Sequence, residues 1–151
     1  MTYKEEIRDL FAIADEYYLA HCISADFALG AGIAVEFDKR YDMRRKLSSG
    51  YPQYLQYMKC YHILGECILI DRVFNLVTKE RYFQKPTYKS MKQALMRMKK
   101  LCIAKNIKKI AMPLIGCGLD RLQWEKVSEI VQEVFKDIDI EIVVCRVKDK
   151  K

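Results

Sequence analysis

Glycine, proline and histidine are scarce in this sequence. Its 151 residues include six glycines, three prolines and two histidines. The sequence contains no low-complexity tract and no Pro/Gly-rich linker, and a hydrophobic fraction of 51% favours a packed core over disorder. No apolar run approaches the roughly 20 residues that a membrane span needs, and the first residues lack a signal-peptide stretch. We therefore expect a cytoplasmic, intracellular protein that does not bind membranes.

Metal-ligating patterns are also missing. The sequence contains six cysteines, but no two of them form a CxxC pair. Only two histidines are available as further metal ligands. Most of the cysteines lie in apolar segments, where a thiol behaves as a small hydrophobic group. Neither a zinc site nor a disulfide framework is expected.

Basic residues are abundant by contrast, and the formal net charge is +7. Eight of the 27 lysines and arginines fall within residues 89–109. This cluster is typical of a solvated helix face. It is also compatible with attraction to a polyanion such as nucleic acid, and the sequence leaves both interpretations open.

Hydrophobic spacing predicts an α/β fold in a single domain over residues 1–151. Strands are predicted at residues 3–7, 17–23, 58–64, 67–72, 74–77, 110–112 and 138–147, with Gly65 as a turn. Helices are predicted at residues 32–40, after Thr87 as N-cap, and at residues 124–135. The alternation of helix and strand in the second half implies parallel strands with helices packed on the sheet.

Four of the six glycines form two short clusters, Gly30-Ala31-Gly32 and Gly116-Cys117-Gly118. Glycine permits positive φ and lets backbone N–H groups approach an anion closely. Each cluster lies near the predicted start of a helix, where partial positive charge gathers. Two such loops could hold a diphosphate from both sides, and two tight turns are the alternative. Neither cluster matches a Walker loop or a GxGxxG fingerprint.

Three segments resemble macrodomains. LAHCISADFALGAGIAVEF at residues 19–37 resembles their first ligand loop, and MPLIGCGLDRLQWEKV at residues 112–127 resembles their second phosphate loop. VTKERYFQKPTYKSM between them resembles the branch typified by terminal ADP-ribose protein glycohydrolase. The resemblance implies a mixed central β-sheet sandwiched between α-helices.

The resemblance also implies a function. Macrodomains of this branch remove single or terminal ADP-ribose from a glutamate or aspartate ester or from O-acyl-ADP-ribose, without a metal or redox cofactor. Two alternatives remain open: a module that binds ADP-ribose without turnover, and a hydrolase acting on ADP-ribosylated DNA bases.

The resemblance assigns ligand contacts to the adenine, the diphosphate and the distal ribose. Asp9 matches the acid that accepts a hydrogen bond from the adenine amino group, although a turn aspartate is the simpler interpretation. His21 matches a first-loop position, although a histidine on an apolar strand is more often a core residue. The expected contacts are Asp9, Leu10, His21, Ser24, Gly30, Ala31, Gly32, Ile33, Pro113, Ile115, Gly116, Cys117, Gly118 and Leu119.

Lys79 and Asp120 match the catalytic lysine and aspartate of the branch. A neutral lysine amine can attack the anomeric carbon of the distal ribose and displace a carboxylate, while a nearby carboxylate relays protons. Asp120 has a structural alternative, because Asp120-Arg-Leu-Gln123 is close to a capping box for the following helix.

One position departs from the family pattern, since Cys145 stands where an aromatic residue can flank adenine. Phe11 is a candidate to replace that aromatic residue.

Overall fold

The computed structural model describes residues 1–61 and 63–147, and in them six strands form one mixed sheet flanked by helices. The strands are β1 (Thr2–Ile7), β2 (Tyr18–Ser24), β3 (Glu66–Ile70), β4 (Val73–Lys79), β5 (Lys109–Met112) and β6 (Glu141–Arg146). The helices are α1 (Ile33–Tyr41), α2 (Met43–Gly50), α3 (Tyr54–Tyr61), α4 (Tyr88–Lys105) and α5 (Trp124–Phe135), with a 3-10 turn at Leu10–Ala12. None of the helices in the described part of the chain has the length and apolar character needed to cross a membrane.

The sheet order is β1-β6-β5-β2-β4-β3, which places β1 at one edge. All neighbouring strands are parallel except β3, which pairs antiparallel with β4. Five strands therefore end at the same edge of the sheet. In open α/β sheets, ligands bind in the crevice outside the carboxyl ends of the strands.

Two hydrophobic clusters cover the two faces of the sheet. One contains residues of α1, α2 and α3, including the fully buried Phe37, Met43 and Leu47. The other is formed with α4 and α5 and includes Leu95 and Phe135. Side chains alternate between the faces along each strand. This arrangement confirms the predicted mixed central sheet sandwiched between α-helices.

The N-terminus of α4 confirms the predicted N-cap. The hydroxyl of Thr87 accepts a hydrogen bond from the Ser90 backbone N–H, and the Ser90 hydroxyl accepts one from the Thr87 backbone N–H. Ser90 Oγ also donates to the carbonyl oxygen of Thr78, at 2.7 Å. The cap of α4 therefore also fixes the end of β4, whose last residue is Lys79.

The strand predicted at residues 58–64 is wrong. Most of that segment belongs to α3, while His62 lies outside the described residues. Tyr54 and Met58, four residues apart, place one buried stripe of α3 on the core. Gly65 precedes β3 instead of joining two strands. Its φ is 85°, and a Cβ there would lie 2.7 Å from the Ser90 carbonyl oxygen, so the position requires glycine.

Candidate active site

A groove follows the carboxyl edge of the parallel strands and consists of three adjoining compartments. The first has a volume of about 600 Å³ and lies beside Asp9 and Phe11. The middle compartment, of about 460 Å³, lies beside both glycine clusters. The third, of about 380 Å³, lies beside Ser24 and Lys79. The first and middle compartments share Ile33, Pro113, Cys145, Arg146 and Val147, and the middle and third share Cys22, Ala31 and Ala34.

Thirteen of the fourteen predicted contact residues line this groove, and His21 does not. The thirteen are Asp9, Leu10, Ser24, Gly30, Ala31, Gly32, Ile33, Pro113, Ile115, Gly116, Cys117, Gly118 and Leu119. Lys79 and Asp120 also line it. The fold thus brings together residues that are more than a hundred positions apart in the sequence.

The loop after β5 is shaped by Gly116. Its φ is 73°, and its carbonyl oxygen accepts a hydrogen bond from the Leu122 N–H at 2.8 Å, which closes the loop. A Cβ at Gly116 would lie 2.6 Å from the Met91 side chain. In the described residues, the N–H groups of Gly116, Gly118, Leu119 and Asp120 have no hydrogen-bond acceptor. These four N–H groups can bind an anion.

The loop before α1 faces the loop after β5. Gly32 is the N-cap of α1 with φ 62° and ψ −149°, a conformation that favours glycine. A Cβ at Gly32 would lie 3.5 Å from the Leu119 side chain, so the two loops approach each other closely. The first N–H groups of a helix lack partners within it. The middle compartment therefore has backbone donors on both sides, as a diphosphate requires.

Asp26 holds the loop between β2 and Gly30. One carboxylate oxygen accepts hydrogen bonds from the Ser24 hydroxyl at 2.5 Å and the Ala28 N–H at 3.2 Å. The other accepts from the Tyr82 N–H at 3.0 Å, so Asp26 also ties this loop to the segment after Lys79. We did not predict this role from the sequence. The Asx-turn contact to Ala28, two residues on, is the local signal that could have indicated it.

Lys79 and Asp120 form an ion pair at the end of β4. Lys79 Nζ lies 2.5 Å from Asp120 Oδ1, and the side chains are only 14% and 15% exposed. The capping alternative for Asp120 is wrong, because α5 begins at Trp124 with Gln123 as its N-cap. The carboxylate of Asp120 is instead bonded to the lysine, which is 41 residues away in the sequence.

The first compartment contains the elements expected around adenine. Asp9 caps the 3-10 turn, since its Oδ1 accepts a hydrogen bond from the Phe11 N–H at 3.0 Å. The turn interpretation of Asp9 is therefore correct, and its exposed position leaves the second carboxylate oxygen accessible to a ligand. Phe11 lines the compartment and contacts Phe37 edge-to-face, with ring centroids 4.9 Å apart. Cys145 lines it as a buried thiol.

His21 is a core residue. It is fully buried, stacks on Phe37 at 3.9 Å between ring centroids, and its Nε2 lies 2.6 Å from Asn75 Oδ1. Burial lowers the pKa of His21 to about 4, with the Asn75 contact opposing that shift. The imidazole is therefore neutral at physiological pH, and we do not place it among the ligand contacts.

The thiols of the groove are not activated. Burial raises the pKa of Cys117 to about 11, and the Asp120 carboxylate adds to that shift. Burial likewise raises the pKa of Cys22 far above its ordinary value. Since the thiolate is the nucleophilic form, neither cysteine is an activated nucleophile at neutral pH. Within residues 1–61 and 63–147, no group of three or more metal-ligating side chains is present.

Comparison with known proteins shows the family and the fold to which this chain is similar. A family model described as Macro domain matches residues 30–131. ADP-ribose glycohydrolase OARD1 of Homo sapiens is 42% identical over 140 residues, which are 90% of this chain and 86% of that protein. The macrodomain of Mycobacterium tuberculosis DarG has a TM-score of 0.79 at 21% identity, covering 98% of this chain and 99% of that one. Thermosipho africanus DarTG in complex with ADP-ribose has a TM-score of 0.73 at 15% identity, covering 99% of this chain and 43% of that one. At these identities the two structures establish a shared fold.

Proposed function

The chain belongs to the Macro domain family, and we propose that it is a hydrolase that releases ADP-ribose from an acceptor. The acceptor bond that suits the site is an ester, either to glutamate or aspartate of a protein or in O-acyl-ADP-ribose. Two comparisons support ADP-ribose as the ligand. The relative that is 42% identical is named an ADP-ribose glycohydrolase, and one structure of the same fold is a complex with ADP-ribose.

The three compartments match the three parts of ADP-ribose in order. Adenine would lie in the first compartment, where a carboxylate oxygen of Asp9 can accept from the exocyclic amino group. The diphosphate would lie in the middle compartment between the unpaired N–H groups of the two glycine loops. The distal ribose would then lie in the third compartment, with its anomeric carbon toward Lys79.

The Lys79–Asp120 ion pair is the observation that carries the proposal of catalysis. A module that only binds ADP-ribose needs donors for the diphosphate and a site for adenine. It has no need of an amine and a carboxylate held 2.5 Å apart and largely buried beside the distal-ribose compartment. A nucleophile in contact with a proton acceptor is the usual arrangement for covalent catalysis.

The reaction uses the contact in which Lys79 Nζ donates to Asp120 Oδ1. The Lys79 ammonium passes a proton to Asp120, and the neutral amine attacks the anomeric carbon. The bond from that carbon to the acceptor oxygen breaks, and its electron pair leaves with the acceptor carboxylate. The bond between the anomeric carbon and the ring oxygen then breaks, the ring oxygen takes the proton held by Asp120, and a protonated imine forms on Lys79. Water adds to the imine, Asp120 relays the protons, and cleavage of the carbon–nitrogen bond releases ADP-ribose and restores the amine.

Intact-mass spectrometry tests this proposal. We expect Lys79→Ala to bind ADP-ribose with nearly unchanged affinity and to release none from an ester-linked peptide. Asp120→Asn should be slow because proton relay is impaired. Water can accept the Lys79 proton in place of Asp120, but ring opening and imine hydrolysis need several further proton transfers. An adduct with the mass of ADP-ribose less one water should therefore accumulate, and peptide mapping should place that adduct on Lys79.

Lys109→Ala is a matched control, because Lys109 also forms an ion pair, with Glu16 at 2.9 Å, but lies at the start of β5. It should retain full activity. An active Lys79→Ala enzyme would refute the nucleophile, and absence of turnover by the unsubstituted protein on every ester would favour a binding module.

A further inference from the structure

A further cavity adjoins the groove at Lys79, and it shares no lining residue with the middle compartment. A fourth compartment of about 390 Å³ shares Lys79 with the third and is lined by Gln84 and Lys85. A fifth, of about 400 Å³, is lined by Lys89 and Arg97. The fourth and fifth share Leu64 and Thr87, so they are continuous. We call these two compartments the acceptor channel.

The acceptor channel carries an excess of positive charge. Lys85, Lys89 and Arg97 line it, all three are exposed, and none forms an ion pair within the described part of the chain. Elsewhere in the described part of the chain, ten ion pairs neutralise basic groups. The only carboxylate among the described residues lining the channel is Glu80, next to Lys79. Three unneutralised cations in a concave surface attract an anionic partner.

The position of the channel relative to Lys79 indicates which part of the substrate it meets. With adenine and the diphosphate in the first two compartments, the acceptor must leave the anomeric carbon in another direction. The channel begins at Lys79, where the bond to the acceptor breaks. We propose, resting on the proposed function, that the acceptor channel binds an acidic segment of polypeptide on one side of the modified glutamate or aspartate.

The other side chains of the channel favour a polypeptide over a nucleic acid. Single-stranded nucleic acids are held by basic grooves together with aromatic rings on which bases stack. No aromatic ring belongs to the described residues that line the channel, and the exposed Tyr82 lines the third compartment instead. Gln84, Gln93 and Thr87 offer hydrogen bonds to peptide groups. Leu64, 44% exposed between the two compartments, offers an apolar contact.

Two ester-linked peptides test the inference. Each carries one ADP-ribosylated glutamate, and they differ only in having flanking glutamates or flanking glutamines. We expect kcat/KM to be about tenfold higher for the acidic peptide at low salt, since each of three exposed ion pairs contributes a few-fold at most. High salt should diminish the difference. Lys85→Gln/Lys89→Gln/Arg97→Gln should reduce the preference to less than threefold and leave turnover of O-acetyl-ADP-ribose unchanged.

The matched control is Lys92→Gln/Lys100→Gln/Lys105→Gln, which removes the same charge from exposed positions of α4 outside the channel. It should keep the preference, and loss of preference in the control would overturn the inference in favour of a bulk charge effect. Equal rates on both peptides would also overturn it. A single-stranded ADP-ribosylated oligonucleotide provides a further test. The inference is overturned if the protein turns this oligonucleotide over faster than the acidic peptide and if Lys85→Gln/Lys89→Gln/Arg97→Gln removes that difference. Failure to release ADP-ribose from either peptide or from O-acetyl-ADP-ribose would instead refute the proposed function.

Discussion

Replacing Gly118 with glutamate should abolish ADP-ribose binding and leave the fold intact. Gly118 lines the middle compartment, and its own N–H is one of the unpaired donors there. Its φ is not positive, and a Cβ at this position would have no atom within 4 Å. A side chain can therefore be added without strain, and we expect a glutamate here to lie beside the diphosphate of the proposed binding mode.

The size of the effect follows from electrostatics. Two unit charges about 4 Å apart repel by about 1 kcal/mol in water and by about 4 kcal/mol at an effective dielectric constant of 20. The diphosphate carries two negative charges, so one carboxylate beside it should cost at least about 2 kcal/mol. That corresponds to a loss of affinity of roughly 30-fold or more. The free energy of unfolding should change by less than about 0.5 kcal/mol, as for other unstrained surface changes.

Calorimetric titration with ADP-ribose and thermal unfolding measure the two effects separately. Gly118→Gln is the matched control, because glutamine has nearly the same size without the charge. It should bind more tightly than Gly118→Glu, and the difference between them should diminish with salt. Binding by Gly118→Glu within threefold of the unsubstituted protein would show that the diphosphate lies elsewhere. A large drop in melting temperature would show that the loop cannot accept a side chain.

Three further changes should affect stability. Gly116→Ala should lower the free energy of unfolding by about 2–4 kcal/mol in a denaturant titration, because φ is 73° and the new Cβ would meet Met91 at 2.6 Å. Thr87→Ala should lower it by about 1 kcal/mol, because the Ser90 N–H loses its cap; an unchanged melting temperature would contradict this role. His21 has a folded pKa of about 4, below its unfolded value, so the stability it confers is present above pH 6.5 and lost as pH falls toward 4. The loss should reach roughly 3 kcal/mol, and a His21→Gln variant should not show it.

The second half of the chain could be predicted from its sequence because its signals are local. The helix after Thr87 and the helix beginning at Trp124 have apolar residues at helical spacing, and β5 between them is ended by Pro113. Each of these signals acts within a few residues. The two glycine loops could be predicted for the same reason. Glycine is scarce in this sequence, so two clusters of it mark backbone with positive φ or close approach to a ligand.

The segment of α2 and α3 could not be predicted in the same way. Its tyrosines have high strand propensity, and the apolar run through residues 58–64 resembles a strand. Tertiary packing decides the outcome. The ring of Tyr54 stacks on that of Phe27 at 5.2 Å between centroids, and α3 therefore packs against the loop that contains Asp26. Phe27 has φ 54°, a conformation that a non-glycine residue keeps only when its surroundings fix it.

The pairing of Lys79 with Asp120 depends on the sheet and cannot be deduced from local sequence. Lys79 is the last residue of β4, and Asp120 follows β5, from which β4 is separated by β2. Because these strands are parallel, their carboxyl ends meet at one edge and bring the two side chains into contact. Lys79 and Asp120 line the groove at the ends of the strands. The residues that precede them in β4 and β5, such as Val77 and Met112, are buried and pack in the core of the sheet. The buried residues that hold the sheet are therefore not the residues of the proposed chemistry, and we expect Lys79→Ala to remove turnover from a protein that is still folded and still binds ADP-ribose.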